Sequence, residues 1–132
     1  MRNLKVTKGN KLGARKVIVD GIEFASKREA NRYTELKLMQ EAGEIFDLQM
    51  QVPYKLVPER REPDTVGVRG GVRRGKVIEH ALHYYADFVY KNKDGNTVVE
   101  DAKGYKKGAT YSVFVCKRKL MLAVHNIRVI EV

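Results

Sequence analysis

The sequence has a single cysteine and no long apolar run. Cys116 cannot form a disulfide within the chain, and one cysteine argues against a cysteine-based zinc site. No apolar stretch approaches the roughly 20 residues of a membrane-spanning helix, and the N-terminus lacks the apolar block of a signal peptide. We therefore expect a protein of the reducing cytoplasm that does not enter a membrane.

Acidic residues are also scarce relative to basic ones. There are 16 Asp and Glu against 26 Lys and Arg, which gives a formal net charge of +10. A surplus of this size attracts polyanions, so nucleic acid is the expected partner. With 132 residues, 43% of them hydrophobic, the chain can form one domain around a hydrophobic core. We predict a single domain over residues 1–132.

The basic side chains are concentrated in three segments. Residues 1–20 carry six against one acid, residues 59–76 carry six against three, and residues 103–119 carry six against none. Residues 1–16 are predicted to be a mobile arm, and the Gly- and Pro-containing residues 59–76 a loop or hairpin insertion. One such segment alone is typical of a solvated surface, but three together favour contacts with nucleic-acid phosphates. The candidate contact residues are Lys16, Arg69, Arg73, Arg74, Lys106, Lys107 and Lys117.

Turn and cap residues predict an α/β order of elements. Asp20-Gly21 predicts a tight turn in a small N-terminal hairpin. Ser26 and Glu29 fit a capping box at the start of a helix over residues 27–42. The pattern further predicts strands over 45–57, 84–90 and 97–103, a helix from 110 to about 125, and a last strand over 127–132.

Two details of these elements can be checked directly. Pro53 lacks an N–H for a sheet ladder, so it predicts an edge position or a bulge in the first long strand. In the second helix, the helical period predicts an apolar face that includes Val113, Cys116, Leu120 and Val124. Cys116 is therefore predicted to be a core residue.

Two of the predicted strands bring carboxylates together. Side chains alternate between the two faces of a strand, so Asp87 shares a side with Val89, and Asp101 shares one with Lys103. If the strands pair through the turn between them, Asp87 and Asp101 converge with Lys103 alongside. The sequence thus predicts a small acidic site within a basic protein.

Such a site has a chemical rationale. Two carboxylates can hold Mg²⁺ and leave positions for water and a phosphate oxygen. The metal lowers the pKa of a bound water, while a lysine steers the hydroxide or stabilises a pentacoordinate phosphorus. The alternative is that these residues form a surface ion pair, which contributes little to stability. The acid-x-Lys pattern is a weak signal by itself, since the chain has two such triplets, Asp101-Ala102-Lys103 and Glu35-Leu36-Lys37. Chance alone predicts about two in a chain this charged.

The residues 85–88 and 98–104 resemble the signature of PD-(D/E)XK nucleases, an acid followed after a hairpin by acid-x-Lys. Asp87 would match the first metal-binding acid, Asp101 the second and Lys103 the catalytic lysine, and Ala102 is implied as a further metal-binding position. The sequence departs from the signature in having Ala86 for its proline and Asp for Glu as the second acid. The resemblance implies an α/β fold with a restriction-endonuclease-like α-β-β-β-α-β core, its mixed sheet flanked by helices.

More narrowly, the run 24–30 with Tyr33, Glu35 and Leu36 is similar to the DUF1064 family of small phage and prophage proteins. The similarity extends over about residues 17–131. These proteins are thought to be like endonuclease I or Holliday-junction resolvases. The resemblance implies a homodimeric endonuclease that uses Mg²⁺, or Mn²⁺ in its place, on branched or junction DNA in the bacterial host cytoplasm.

Three interpretations stay open at this stage. Many members of the nuclease superfamily have another acid on the first helix, and Glu29 falls there, but it could also serve only as the capping-box glutamate. Lys117 could approach the scissile phosphate or remain a solvated lysine. The whole chain could also be a non-catalytic nucleic-acid-binding protein with its carboxylates in structural ion pairs.

Overall fold

Two helices pack against a four-stranded mixed sheet. A computed structural model describes residues 5–6 and, with their side chains, residues 16–132. The predicted mobile arm therefore lies outside the described residues, apart from residues 5–6 and Lys16. The helices are α1 (Lys27–Glu41) and α2 (Gly108–His125), and the strands are β1 (Lys5–Val6), β2 (Val17–Val19), β3 (Ile22–Phe24), β4 (Phe46–Val57), β5 (Arg60–Arg61), β6 (Thr65–Val66), β7 (Val72–Arg73), β8 (Val77–Glu79), β9 (Leu82–Lys91), β10 (Thr97–Asp101) and β11 (Val129–Glu131).

The first helix begins where the capping residue predicted. Ser26 has an extended backbone, and its hydroxyl accepts a hydrogen bond from the Glu29 N–H at 3.2 Å. Ala30, Tyr33 and Leu36 are buried on the side of α1 that packs on the β2–β3 hairpin and the sheet. The predicted helix over 27–42 is confirmed to within one residue.

The central sheet has the strand order β11-β10-β9-β4. Strands β4, β9 and β10 are antiparallel neighbours, and β11 returns through α2 to pair parallel with β10. The long elements therefore follow the predicted order of helix, three strands, helix and strand. Pro53 lies in β4, which is an edge strand of this sheet, as its missing N–H required.

The predicted apolar face of α2 is wrong for three of its four residues, although Leu120 does pack against the core. Phe114 and Met121 are the buried residues of the helix, whereas Cys116 is exposed and Val113 and Val124 are each more than half exposed. The helix carries apolar side chains around much of its circumference, so periodicity alone did not fix its rotation. The two large side chains fill the space against the sheet instead.

Among the described residues, no helix has the length and apolar character needed to cross a membrane.

The pleat of the central sheet changes phase where Gln51 of β4 stands opposite Asp87 of β9. Residues two apart on a regular strand face the same side. Along β4, however, Leu48 and Met50 pack with the α1 cluster, and along β9 so do Phe88 and Tyr90. On the other side of the Gln51–Asp87 pair, the even-numbered residues of both strands pack with the α2 cluster instead. They are Val52, Tyr54, Leu56, Tyr84 and Ala86. Gln51 has a left-handed backbone with φ of 51°, which interrupts the regular strand at this point.

Candidate active site

The structure brings Asp87 and Asp101 together. Val89 pairs with Val99 and Phe88 with Glu100, so the next opposed positions are Asp87 and Asp101. Asp87 Oδ2 accepts a hydrogen bond from the Ala102 N–H at 2.9 Å, which ties the first acid to the end of the second strand. The convergence predicted from the hairpin is thus present in the fold.

Asp101 is 3% exposed and unevenly satisfied. Its Oδ2 accepts a hydrogen bond from the Tyr84 hydroxyl at 2.7 Å. Its Oδ1 forms an ion pair with Lys103 Nζ at 2.8 Å and receives no hydrogen bond from the other described residues. Lys103 Nζ also lies 4.4 Å from the centre of the Phe114 ring. A buried carboxylate oxygen without a donor is costly unless a cation compensates it.

Glu29 belongs to the same acidic group. Burial and then the negative charge of Asp87 raise the pKa of Glu29 to about 7, with a smaller contribution from Asp101. A backbone hydrogen bond at Ala25 and the charge of Lys103 act in the opposite direction. Glu29 therefore lies at the start of α1 and close to both aspartates, so its position in the cap does not exclude a role in the site.

The ionised form of Asp87 is disfavoured for the same two reasons, burial and a neighbouring negative charge. Burial first, and then the charge of Asp101, raise its pKa to about 6. The hydrogen bonds from Ala102 and from Gln51, whose Nε2 lies 3.1 Å from Asp87 Oδ1, limit this rise. Burial and mutual repulsion thus both disfavour the ionised forms of Asp87 and Glu29.

Two recesses meet at Asp87. One, of about 270 Å³, is lined by Glu29 and Gln51 on the α1 side. The other, of about 250 Å³, is lined by Asp101, Lys103 and Lys117 on the α2 side. Asp87 lines both recesses because the pleat of the sheet changes phase at this residue, so its carboxylate can be reached from the α1 side and from the α2 side. A larger recess of about 530 Å³ lies along α1 and includes neither aspartate, so the chemistry rather than the volume identifies the site.

The donor atoms fit a hard divalent cation in part. Within residues 16–132, no three His, Cys, Asp or Glu side chains converge as they do in a formed metal site. Mg²⁺, however, is often held by one or two carboxylates, with water and substrate phosphates completing its shell. Asp87 and Asp101 supply such a pair, and Asp101 Oδ1 already faces a positive charge, the Lys103 ammonium at 2.8 Å.

The predicted nucleic-acid contact residues are spread over several elements. Lys117 lines the α2-side recess. In contrast, Lys106 pairs with Glu131 at 3.0 Å and Lys16 with Glu23 at 3.0 Å. Lys107 is an exposed residue at the N-terminal cap of α2. The remaining three, Arg69, Arg73 and Arg74, are exposed on the 59–76 insertion.

Two contributors to the site were not predicted from the sequence. Gln51 and Tyr84 donate hydrogen bonds to Asp87 and Asp101, respectively. With regular alternation along β9, Tyr84 would face the side of the sheet opposite Asp101. The phase change puts both side chains on the same side. Gln51 could have been found from the β4–β9 register, since it is the residue opposite Asp87, but that register requires the structure.

Fold and site together define a mixed α/β domain in which Asp87, Asp101 and Lys103 converge on the sheet, with Glu29 on the α1 side of Asp87 and Lys117 on the α2 side. The family model described as "Protein of unknown function (DUF1064)" matches residues 9–129, and the chain therefore belongs to the DUF1064 family. No curated protein and no solved structure matches the chain.

Proposed function

We propose that this DUF1064 protein is a metal-dependent DNA endonuclease with a PD-(D/E)XK site on a restriction-endonuclease-like core. The observation that carries the proposal is the convergence of two carboxylates, Asp87 and the buried Asp101, with the Lys103 ammonium, which lies 2.8 Å from Asp101 Oδ1. A structural ion pair needs one carboxylate for its lysine, whereas here a second carboxylate lies close enough that its charge, after burial, raises the pKa of Asp87. The order of the long elements also supports the proposal, because it is the order implied by the resemblance to PD-(D/E)XK nucleases.

In this proposal Asp87 and Asp101 hold Mg²⁺, with Glu29 and Ala102 as further positions implied by the nuclease resemblance. When bound, the ion lowers the pKa of a water and offsets negative charge at the phosphorus. Lys103 orients the attacking water or stabilises the developing negative charge, because its ammonium is fixed between Asp101 and the Phe114 ring.

The surrounding residues set the geometry of this machinery. Tyr84 holds Asp101 through Oδ2 and leaves Oδ1 for the cation. Ala102 and Gln51 each donate to one oxygen of Asp87. Lys117 faces the same recess as Asp101 and Lys103, where it would neutralise a phosphate oxygen of the substrate.

The substrate we propose is branched or junction DNA of a phage or prophage, cut in the bacterial cytoplasm by a homodimer. The net charge of +10 supports a polyanionic substrate, and the branched form follows from the nuclease resemblance. Sedimentation of the protein alone and with a four-way junction would measure the oligomeric state.

The test compares cleavage with binding. Wild-type protein should cut a panel of linear, flapped and four-way DNA with Mg²⁺ or Mn²⁺ but not with EDTA. Asp101→Asn or Lys103→Ala should reduce cleavage by at least about 100-fold and leave DNA binding and its salt dependence nearly unchanged. Asp94→Asn, an equal loss of charge in the exposed β9–β10 turn, is the matched control.

The competing function is a DNA-binding protein without catalysis. It predicts wild-type protein that binds every substrate in the panel and cuts none with either metal. That result would overturn the endonuclease proposal.

A further inference from the structure

Residues 60–79, here called the β arm, form a two-stranded ribbon that leaves the sheet where β4 and β9 stop pairing at Val57 and Leu82. Its inner part is the β5–β8 pair and its outer part the β6–β7 pair. The Glu62 N–H donates to the Lys76 carbonyl at 2.9 Å and joins the two parts. The tip is closed by hydrogen bonds from the N–H groups of Gly67 and Gly70 to the carbonyls of Gly71 and Gly67, respectively. The predicted loop or hairpin is thus a hairpin.

The tip of the β arm exposes apolar side chains. Val66 and Val72 form a cross-strand pair and are 72% and 69% exposed, and Val68 is fully exposed. Single exposed valines are ordinary, but three within seven residues at a hairpin tip contribute nothing to a core. They are available to a partner.

The charges around these valines indicate the chemistry of that partner. Residues 65–76 contain four basic side chains and no acid, namely Arg69, Arg73, Arg74 and Lys76. Arg74 is 71% exposed and lies at the limit of an ion pair with Glu59, 3.9 Å away. A basic ribbon with an apolar tip matches the way DNA-bending proteins act, in which cations contact phosphates and an apolar side chain enters a base step.

The reach of the β arm suits duplex DNA. About ten residues separate Val57 from Gly67, so the arm can extend at most roughly 30 Å, close to one turn of B-DNA at about 34 Å. Asp87 lies five residues along β9 from Leu82, the first residue of that strand. One bound DNA could therefore contact both the acidic site and the tip.

We infer that the β arm is a DNA wedge: Val68, supported by Val66 and Val72, enters a base step while Arg69 and Arg73 hold the flanking phosphates. Unstacking a base step costs a few kcal/mol in intact duplex and less where bases are already unpaired. The wedge therefore gives the protein its preference for branched over linear DNA. This inference rests on the proposed function in taking DNA as the ligand, and it deepens that function by assigning the substrate preference.

The test uses full-length protein, EDTA to prevent cleavage, and linear and four-way DNA with 2-aminopurine at the central steps. Wild-type binding to the four-way DNA should increase 2-aminopurine fluorescence, because the base loses its stacking. The triple variant Val66→Ser, Val68→Ser, Val72→Ser should lose this increase, and its preference for four-way over linear DNA should fall about tenfold. The control Leu38→Ser removes an exposed apolar residue of α1 and should leave both readouts unchanged.

A second variant separates the charges from the wedge. Arg69→Ala with Arg73→Ala should weaken binding to both DNAs and lower the slope of log K against log salt by up to about 2. Wild-type protein that binds four-way DNA with no change in fluorescence, or a valine variant with an unchanged preference, overturns the wedge. Binding with the fluorescence change but no cleavage in Mg²⁺ or Mn²⁺ instead overturns the endonuclease and keeps the wedge.

Discussion

Glu100 and Asp101 are neighbours in the chain, both almost fully buried, and their carboxylates point to opposite faces of β10. Glu100 accepts two hydrogen bonds from Arg32, from Nε at 2.8 Å and from Nη2 at 2.6 Å, and one from the Tyr90 hydroxyl at 2.6 Å. Asp101 instead accepts one hydrogen bond, from Tyr84, and its other oxygen is paired with the Lys103 ammonium at 2.8 Å. Glu100 is thus held entirely by hydrogen bonds within the fold, whereas Asp101 lies beside a second carboxylate, Asp87.

Arg32→Ala should strongly destabilise the fold. Removing the guanidinium leaves the buried Glu100 charge without its bidentate partner, which typically costs about 3–5 kcal/mol of unfolding free energy. Urea unfolding measures the change, with the exposed Arg128→Ala as control. A loss below about 1 kcal/mol for Arg32→Ala would contradict the structural role of the pair.

The stability of the metal-free protein should fall as the pH rises. Burial and the charge of Asp87 raise the pKa of Glu29 from 4.5 to about 7, so between these values the folded state binds more protons than the unfolded state. Stability from this group is therefore present at pH 5 and lost by pH 8, by about 1–2 kcal/mol after allowance for solvent screening. Thermal melts at both pH values measure it.

Two controls sharpen that measurement. Glu29→Gln should flatten the pH dependence, whereas Glu44→Gln, a change in an exposed acid after α1, should not. Mg²⁺ should restore stability more at pH 8 than at pH 5, because the carboxylates are then ionised. A melting temperature that rises steadily from pH 5 to pH 8 without metal would contradict the raised pKa of Glu29.

Gln51 should act by positioning Asp87. Gln51→Ala removes the donor to Asp87 Oδ1, so the pKa of Asp87 should rise and the acidic limb of the cleavage pH profile should move to higher pH. Gln51→Gly should show the same shift but be more stable than Gln51→Ala by about 1 kcal/mol, because glycine adopts φ of 51° without strain. Gln49→Ala, an exposed neighbour on β4, is the control. An unmoved acidic limb in both Gln51 variants would contradict the positioning role.

Gly75→Ala should disrupt the β arm and spare the core. A Cβ at Gly75 would lie 1.7 Å from the Glu62 carbonyl oxygen, so the backbone must move. Faster hydrogen exchange within residues 60–79 and a reduced preference for four-way DNA are expected, while the unfolding free energy of the core should fall by less than about 1 kcal/mol. Gly71→Ala is the matched control, because its Cβ would meet open space. Equal exchange in both variants would contradict the tight ribbon.

Local rules predicted much of the fold. The Ser26 cap set the start of α1, Asp20-Gly21 the first hairpin, and Pro53 an edge strand. They failed for the buried face of α2, because an apolar helix can rotate until its largest side chains fill the available space.

For the site, the sequence is enough to say which acids and lysine meet, since Asp87 and Asp101 lie on two strands joined by a short turn, Lys103 follows two residues after Asp101, and local pairing fixes the register. Glu29, Gln51, Tyr84 and Lys117 join them only through contacts between distant parts of the folded chain. Their approach depends on the phase change at Gln51 and Asp87, where the sheet turns from the α1 cluster to the α2 cluster. A left-handed residue within a strand is stabilised by long-range packing and the Asp87 hydrogen bond, and neither has a local signature in the sequence.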